Sequence, residues 1–171
     1  MIMINKFVTI TLILITQLTY AQAYDPQRIL NLDPKVMGLA SCAGSLNANH
    51  VNNYANELYS VEQLKDAYHI NSLGIEIAIA SKGQAHYLTH VADYASLIED
   101  GYEATINELT NGTFDWDSQT ELDYCQVKLF EYVVQPPRSA MWVGDFEKFR
   151  QITKDQTSKA VDFLVQILEN Y

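Results

Sequence analysis

His86-x-x-x-His90-x-x-Asp93 is the spacing in this chain with the most capacity for chemistry. It sets two imidazoles one helical turn apart, with a carboxylate three residues beyond, and such a set can hold zinc or copper on one helix face. The surrounding residues favour an ordinary solvated face. Lys82, Thr89, Asp93 and Asp100 share that side, opposite a stripe of Leu88, Val91, Ala95 and Ile98. A third strong ligand is also missing, because in an antiparallel hairpin about residues 81–84 His69 would lie roughly 10 Å or more further along the axis.

The other constellations are weaker. His50 and His69 are nine or ten residues from the Tyr59-Ser60 turn, so antiparallel packing sets them level. His69, however, shares its side with Glu62, Lys65, Asp66, Ser72 and Glu76, the pattern of a wetted surface. A di-iron carboxylate bundle repeats Glu-x-x-His on two helices, and Asp66-x-x-His69 stands alone. Counted from Asp115 as a calcium loop, the chain places Thr120 where glycine is needed and Gln126 where a bidentate glutamate is needed. Glu99-Asp100 and Asp115/Asp117 have nothing around them that raises a carboxylate pKa for acid or base work. G-x-S-x-G, H-E-x-x-H, Walker and dinucleotide fingerprints do not occur. Asn111-Gly112-Thr113 has the form of a glycosylation acceptor, which matters only in a eukaryotic host.

The segment from Pro136 to Val143 carries Arg138, Met141 and Trp142, residue types enriched where proteins bind one another. These three are the candidate partner-binding residues, set against the alternative that Met141 and Trp142 fold back to cap the core. The acidic stretches 99–103 and 115–121 are the accompanying candidate surfaces, and they favour a basic partner.

Helices must position all of these groups. Asp33-Pro34 is a strong helix start, an Asp N-cap followed by a Pro whose missing N–H does no harm, and apolar spacing carries that helix over 34–58. Ser60 with Gln63 forms a capping box for a second helix with Val61, Leu64, Ala67, Ile70, Leu73, Ile77 and Ala80 inward and Gly74 within it. A break at residues 81–84 precedes a third, whose stripe is Leu88, Val91, Ala95, Ile98, Tyr102, Ile106 and Leu109 and whose end is Asn111-Gly112. Ser118 with Glu121 is the expected cap of a fourth, with Leu122, Cys125, Leu129 and Tyr132 on one side, stopped by Pro136-Pro137. A last helix runs from near Asp145 to Asn170 with Phe146, Phe149, Ile152, Ala160, Phe163, Leu164 and Ile167 inward, and its polar middle at 154–159 invites a kink. Most of the tyrosines fall on or beside these stripes and are expected in the core. The fold class is therefore all-α, an antiparallel bundle of four to five amphipathic helices in residues 24–171.

Cys42 and Cys125 are the only cysteines, and each lies on the inward side of its helix, the first and the fourth. One disulfide between them is expected, and closing so long a loop stabilises a fold by roughly 4 to 5 kcal/mol. C-x-x-C is absent, so neither thioredoxin-like exchange nor covalent haem attachment has support. Residues 1–23 have the form of a secretory signal peptide, with Lys6, an apolar run from Phe7 to Leu18, and Ala21-Gln22-Ala23 at the cleavage point. Leu39-Ala40-Ser41-Cys42 resembles a lipoprotein box, but Asp25, Arg28, Asp33 and Lys35 separate it from that run.

The 171 residues are 48% hydrophobic and 19% charged, with a formal charge of −10 that becomes −11 if Lys6 is removed with the leader. That balance argues against nucleic acid and against an anionic membrane as partners, and nothing after the leader is apolar enough to span a bilayer. The resulting expectation is an exported, periplasmic or secreted, acidic bundle that binds another protein, as an inhibitor, immunity protein, chaperone or envelope accessory does. No catalytic residues and no cofactor are expected. The alternative is a small-ligand or metal carrier using the bundle interior or the His86/His90/Asp93 face.

Overall fold

The computed structural model describes residues 31–170, so the leader expected over 1–23 lies outside the described residues. Five helices follow one another: α1 (Pro34–Ala55), α2 (Val61–Ala80), α3 (Gln84–Asn111), α4 (Trp116–Val134) and α5 (Phe146–Glu169), with a 3₁₀ turn over Arg138–Val143 before the last. No strand occurs among the described residues, and none of these helices is long and apolar enough to cross a membrane. Short connections make successive helices antiparallel, and the disulfide Cys42–Cys125 joins α1 to α4 with 5.3 Å between Cα atoms.

Local chemistry explains the ends. Asp33 accepts from the backbone N–H groups of Lys35 and Val36, and Pro34 occupies the first helical position. The Ser60/Gln63 capping box forms in both directions, at 3.2 and 2.8 Å. Gly83 has φ 98° and Gly112 φ 68°, so each helix boundary there uses a conformation that glycine adopts without a Cβ penalty.

Two ends differ from the sequence expectation. α1 stops at Ala55 instead of residue 58, because the Glu57 N–H returns to the Tyr54 carbonyl and the Leu58 N–H to the Asn53 carbonyl. That pair of bonds is a Schellman cap, with Glu57 in the left-handed position at φ 59° that glycine normally fills. Leu58 is thereby expelled into solvent. α4 begins three residues earlier than expected, because Asp115 and not Ser118 is its cap and accepts from the first free N–H groups, those of Asp117 and Ser118.

α2 is the central rod, packed against α1, α4 and α5, with Leu73, Gly74, Ile75 and Ile77 to Ala80 all buried. The most extensive interface is between α1 and α3. There Gly44 and Gly101 let the two backbones touch, since a Cβ on Gly44 would overlap the Ile98 carbonyl and one on Gly101 the Ser41 carbonyl. This close approach fixes the rotation of α3. Tyr94, Gly101, Tyr102, Thr105 and Ile106 turn inward, and Leu88, expected in the stripe, is left 68% exposed.

α5 is one unbroken helix through its polar middle. Thr153 and Thr157 face the core there, each returning its hydroxyl to the carbonyl four residues back, at 3.1 and 2.7 Å. A threonine that satisfies its own hydroxyl in this way buries like a small apolar residue. Ile152 and Phe163, expected inside, are correspondingly exposed.

Candidate functional site

The His86/His90/Asp93 face is half-buried and turned onto a polar chain that pins the start of α1. Lys82 Nζ pairs with Asp33 Oδ2 at 2.7 Å, and this contact leads in holding the Asp33 carboxyl below the usual aspartate range. The Asp33 N–H donates to the hydroxyl of Tyr94, a fully buried ring, at 3.0 Å. That hydroxyl also lies within hydrogen-bond distance of His86 Nε2, 2.9 Å away. Burial first, then the neighbouring His90, lowers the His86 pKa and so favours the neutral ring. The rings of His86 and His90 are 4.7 Å apart, and His90 Nδ1 meets Asp93 Oδ2 at 3.0 Å.

One nitrogen of each ring is thus engaged within the fold, His86 Nε2 with Tyr94 and His90 Nδ1 with Asp93. Among the described residues no group of three His, Cys, Asp or Glu side chains is arranged to hold a metal ion. Tyr94→Phe is expected to strand the Asp33 N–H and His86 Nε2 together, lowering stability by about 2 kcal/mol in a denaturant melt.

His50 and His69 go separate ways. His50 is buried, its ring stacked on Tyr59 with centroids 5.7 Å apart and its Nδ1 without a hydrogen-bond partner. Burial alone lowers its pKa from 6.5 to about 4. His69 is not on a wetted face, because α5 covers that side of α2; Arg150 and Lys154 sit near it, and burial leads in lowering its pKa. Glu76, expected on the same outer face, is also enclosed, where burial raises its pKa and the Tyr87 hydroxyl donates to it.

A pH dependence follows from His50. The folded state takes up its proton only near pH 4, whereas the unfolded chain does so near 6.5. The His50 contribution is therefore intact above pH 6.5 and is lost as pH falls toward 4. The loss is expected to be roughly 2 to 3 kcal/mol, and His50→Gln should flatten the stability profile in that window.

The Arg138/Met141/Trp142 segment is divided by the fold. Arg138 and Met141 are exposed, but Trp142 is turned inward, its indole N–H donating to the Ala80 carbonyl at 2.7 Å and its ring meeting Tyr87 edge-on. The aromatic anchor expected of a binding patch here instead caps the end of α2, where the helix leaves its carbonyls unpaired.

A larger apolar surface lies on α4. Leu122, Cys125 and Leu129 face the core, while Trp116, Val127, Phe130 and Val134 line the opposite side, with exposures from 49% at Phe130 to 80% at Trp116. Tyr124, expected in the core, flanks this surface with Lys128 over its ring at 5.6 Å, and Lys128 in turn pairs with Glu131 at 3.0 Å. A helix needs one apolar side to join a bundle, and α4 has two. Between Lys82 and Lys128 the chain holds nine acidic residues and no Lys or Arg, so this surface belongs to the acidic half of the molecule. The signal was present in the sequence as a second series of large apolar residues at helical spacing, offset from the one that contains Cys125.

No family model matches the chain, and neither a curated protein nor a solved structure does.

Proposed function

We propose that the chain is an exported accessory protein, periplasmic or secreted, that works by binding another protein through the outward side of α4. One observation carries the reading: four large apolar residues stay in water along a helix whose other side already satisfies the core. Exposed large apolar residues gathered on one side of a helix and edged by charge mark interaction sites. The acidic rim, with Asp117 and Glu121 on α4 itself, suits a partner with a basic surface, in an inhibitor, immunity, chaperone or envelope-assembly role. The disulfide and the leader-like start support export, since such bonds persist in oxidising compartments.

The test is capture with a crosslinker from the native extracytoplasmic fraction, comparing Phe130→Asp on α4 with Leu88→Asp on α3. Phe130→Asp is expected to reduce the recovered partner at least tenfold with an unchanged melting midpoint, as loss of a binding hot spot does. Leu88→Asp should leave recovery intact. Equal recovery from the two variants would contradict the reading.

A further inference from the structure

The open side of α4 has a regular spacing as well as an apolar character. Its outward positions are Trp116, Thr120, Asp123, Val127, Phe130 and Val134, all of them exposed and separated by alternating steps of four and three. Steps of four and three keep these positions on one side of α4, a strip along which a second helix can lie. A narrow seam of this spacing fits the ridge of another helix. The core-facing residues Leu122, Cys125, Leu129 and Tyr132 repeat at three, four and three on the far side, so α4 packs into the bundle by one side and turns a second series of positions to solvent. Its 19 residues rise about 28 Å, enough for a partner helix of five turns.

Charge decides between a second copy and a different protein. Asp123 lies in the middle of the seam, its carboxylate held by the Gln119 side chain at 2.8 Å. An apolar partner would bury that carboxylate without a cation, which is strongly unfavourable. A second α4 could supply only Lys128, already paired with Glu131, and would bring acidic residues against acidic residues along the rest of its length. The occupant must bring its own Lys or Arg to the centre of the seam.

Resting on the docking reading above, we infer that α4 receives an amphipathic helix of another protein, with apolar residues at the same spacing and a Lys or Arg opposite Asp123. The pairing is a helix laid along a helix, its register set by one buried charge pair, the best attested use of a polar group in such a seam.

Two synthetic helical peptides with the same Leu/Ile seam test this, one with Lys at the central and flanking positions and one with Glu there. Binding to the full mature chain is read by calorimetry. Emission of Trp116 is followed in Trp142→Phe, which leaves Trp116 as the sole tryptophan. The basic peptide is expected to bind saturably and shift Trp116 to the blue, at least tenfold more weakly to Phe130→Ser, and Asp123→Lys is expected to switch the preference to the Glu peptide. Equal binding of both peptides, or a preference unmoved by Asp123→Lys, overturns the inference. So does a dimer of the chain alone that Phe130→Ser dissociates, which assigns the seam to a second copy, and so does a Trp116 shift on phosphatidylcholine vesicles without peptide binding. If the peptides fail while Phe130→Asp still loses the captured protein, the helical partner is wrong and the docking side stands. If capture ignores Phe130→Asp, both fall.

Discussion

Alanine at Gly44 is expected to lower the stability of the protein by about 4 kcal/mol, although alanine is the better helix former by roughly 1 kcal/mol. The added methyl would overlap the Ile98 carbonyl and stand 2.8 Å from the Tyr102 backbone nitrogen. Both obstacles are main chain of α3, so no rotamer change relieves them and the two helices must move apart. Their separation loosens the most extensive interface of the bundle, together with the Ser45 hydroxyl bond to the Gly101 carbonyl. Gly38 supplies the control within the same helix. It is exposed, and a Cβ there meets nothing within 4 Å, so Gly38→Ala should raise stability by about 0.5 to 1 kcal/mol. Urea midpoints of the two variants should move in opposite directions. A harmless Gly44→Ala would mean that α1 and α3 do not touch backbone to backbone.

Removing the Cys42–Cys125 bond has a comparable effect by a different route. The bond spans 83 positions of sequence, and in the chain-entropy account opening a loop of that size returns about 4 to 5 kcal/mol of freedom to the unfolded chain. Cys125 is buried beside Leu122 and Leu129, so alanine there also leaves a small void. Cys42→Ala combined with Cys125→Ala is expected to lower the melting midpoint by about 10 °C or more. Reductant should reproduce most of that drop in the wild type and none in the double variant. A midpoint that ignores both treatments would show that the bond contributes nothing to folding.

The parts of this structure that were legible in the sequence are those encoded locally. Asp33-Pro34, Ser60 with Gln63, Asn111-Gly112 and Pro136-Pro137 mark boundaries through backbone hydrogen bonds or φ preferences that a few adjacent residues settle among themselves. The disulfide was legible because both cysteines sit on inward stripes. What escaped was rotation about the helix axis. Apolar periodicity predicts that the largest side chains take the buried face, but on α3 the choice is made by Gly101 against Ser41 and Gly44 against Ile98, which leaves Leu88 facing water. On α5, Thr153 and Thr157 displaced Ile152 and Phe163 by satisfying their hydroxyls within the helix.

The candidate site was less legible still. Trp142 has the composition of a binding anchor, and the Ala80 carbonyl, 62 positions away, turns it inward. The histidine spacing at 86 and 90 has the form of a ligand set, but a buried tyrosine meets one nitrogen of His86 and Asp93 meets one nitrogen of His90, all of them on the same helix. On α4 both apolar series stand in the sequence, and what the sequence does not decide is which of them faces the core; α1 and α2 settle that by covering the side of Leu122, Cys125 and Leu129.

Site-specific photocrosslinking maps the docking side most directly. With the photoreactive residue at position 127 on α4, exposure of the chain to an extract of the cells that make it, cytoplasmic and extracytoplasmic fractions taken separately, should give one discrete adduct. The same residue at position 88 on α3 or 163 on α5, both exposed, should give none. An adduct from position 88 or 163 with none from 127 would contradict the assignment of α4 as the binding helix.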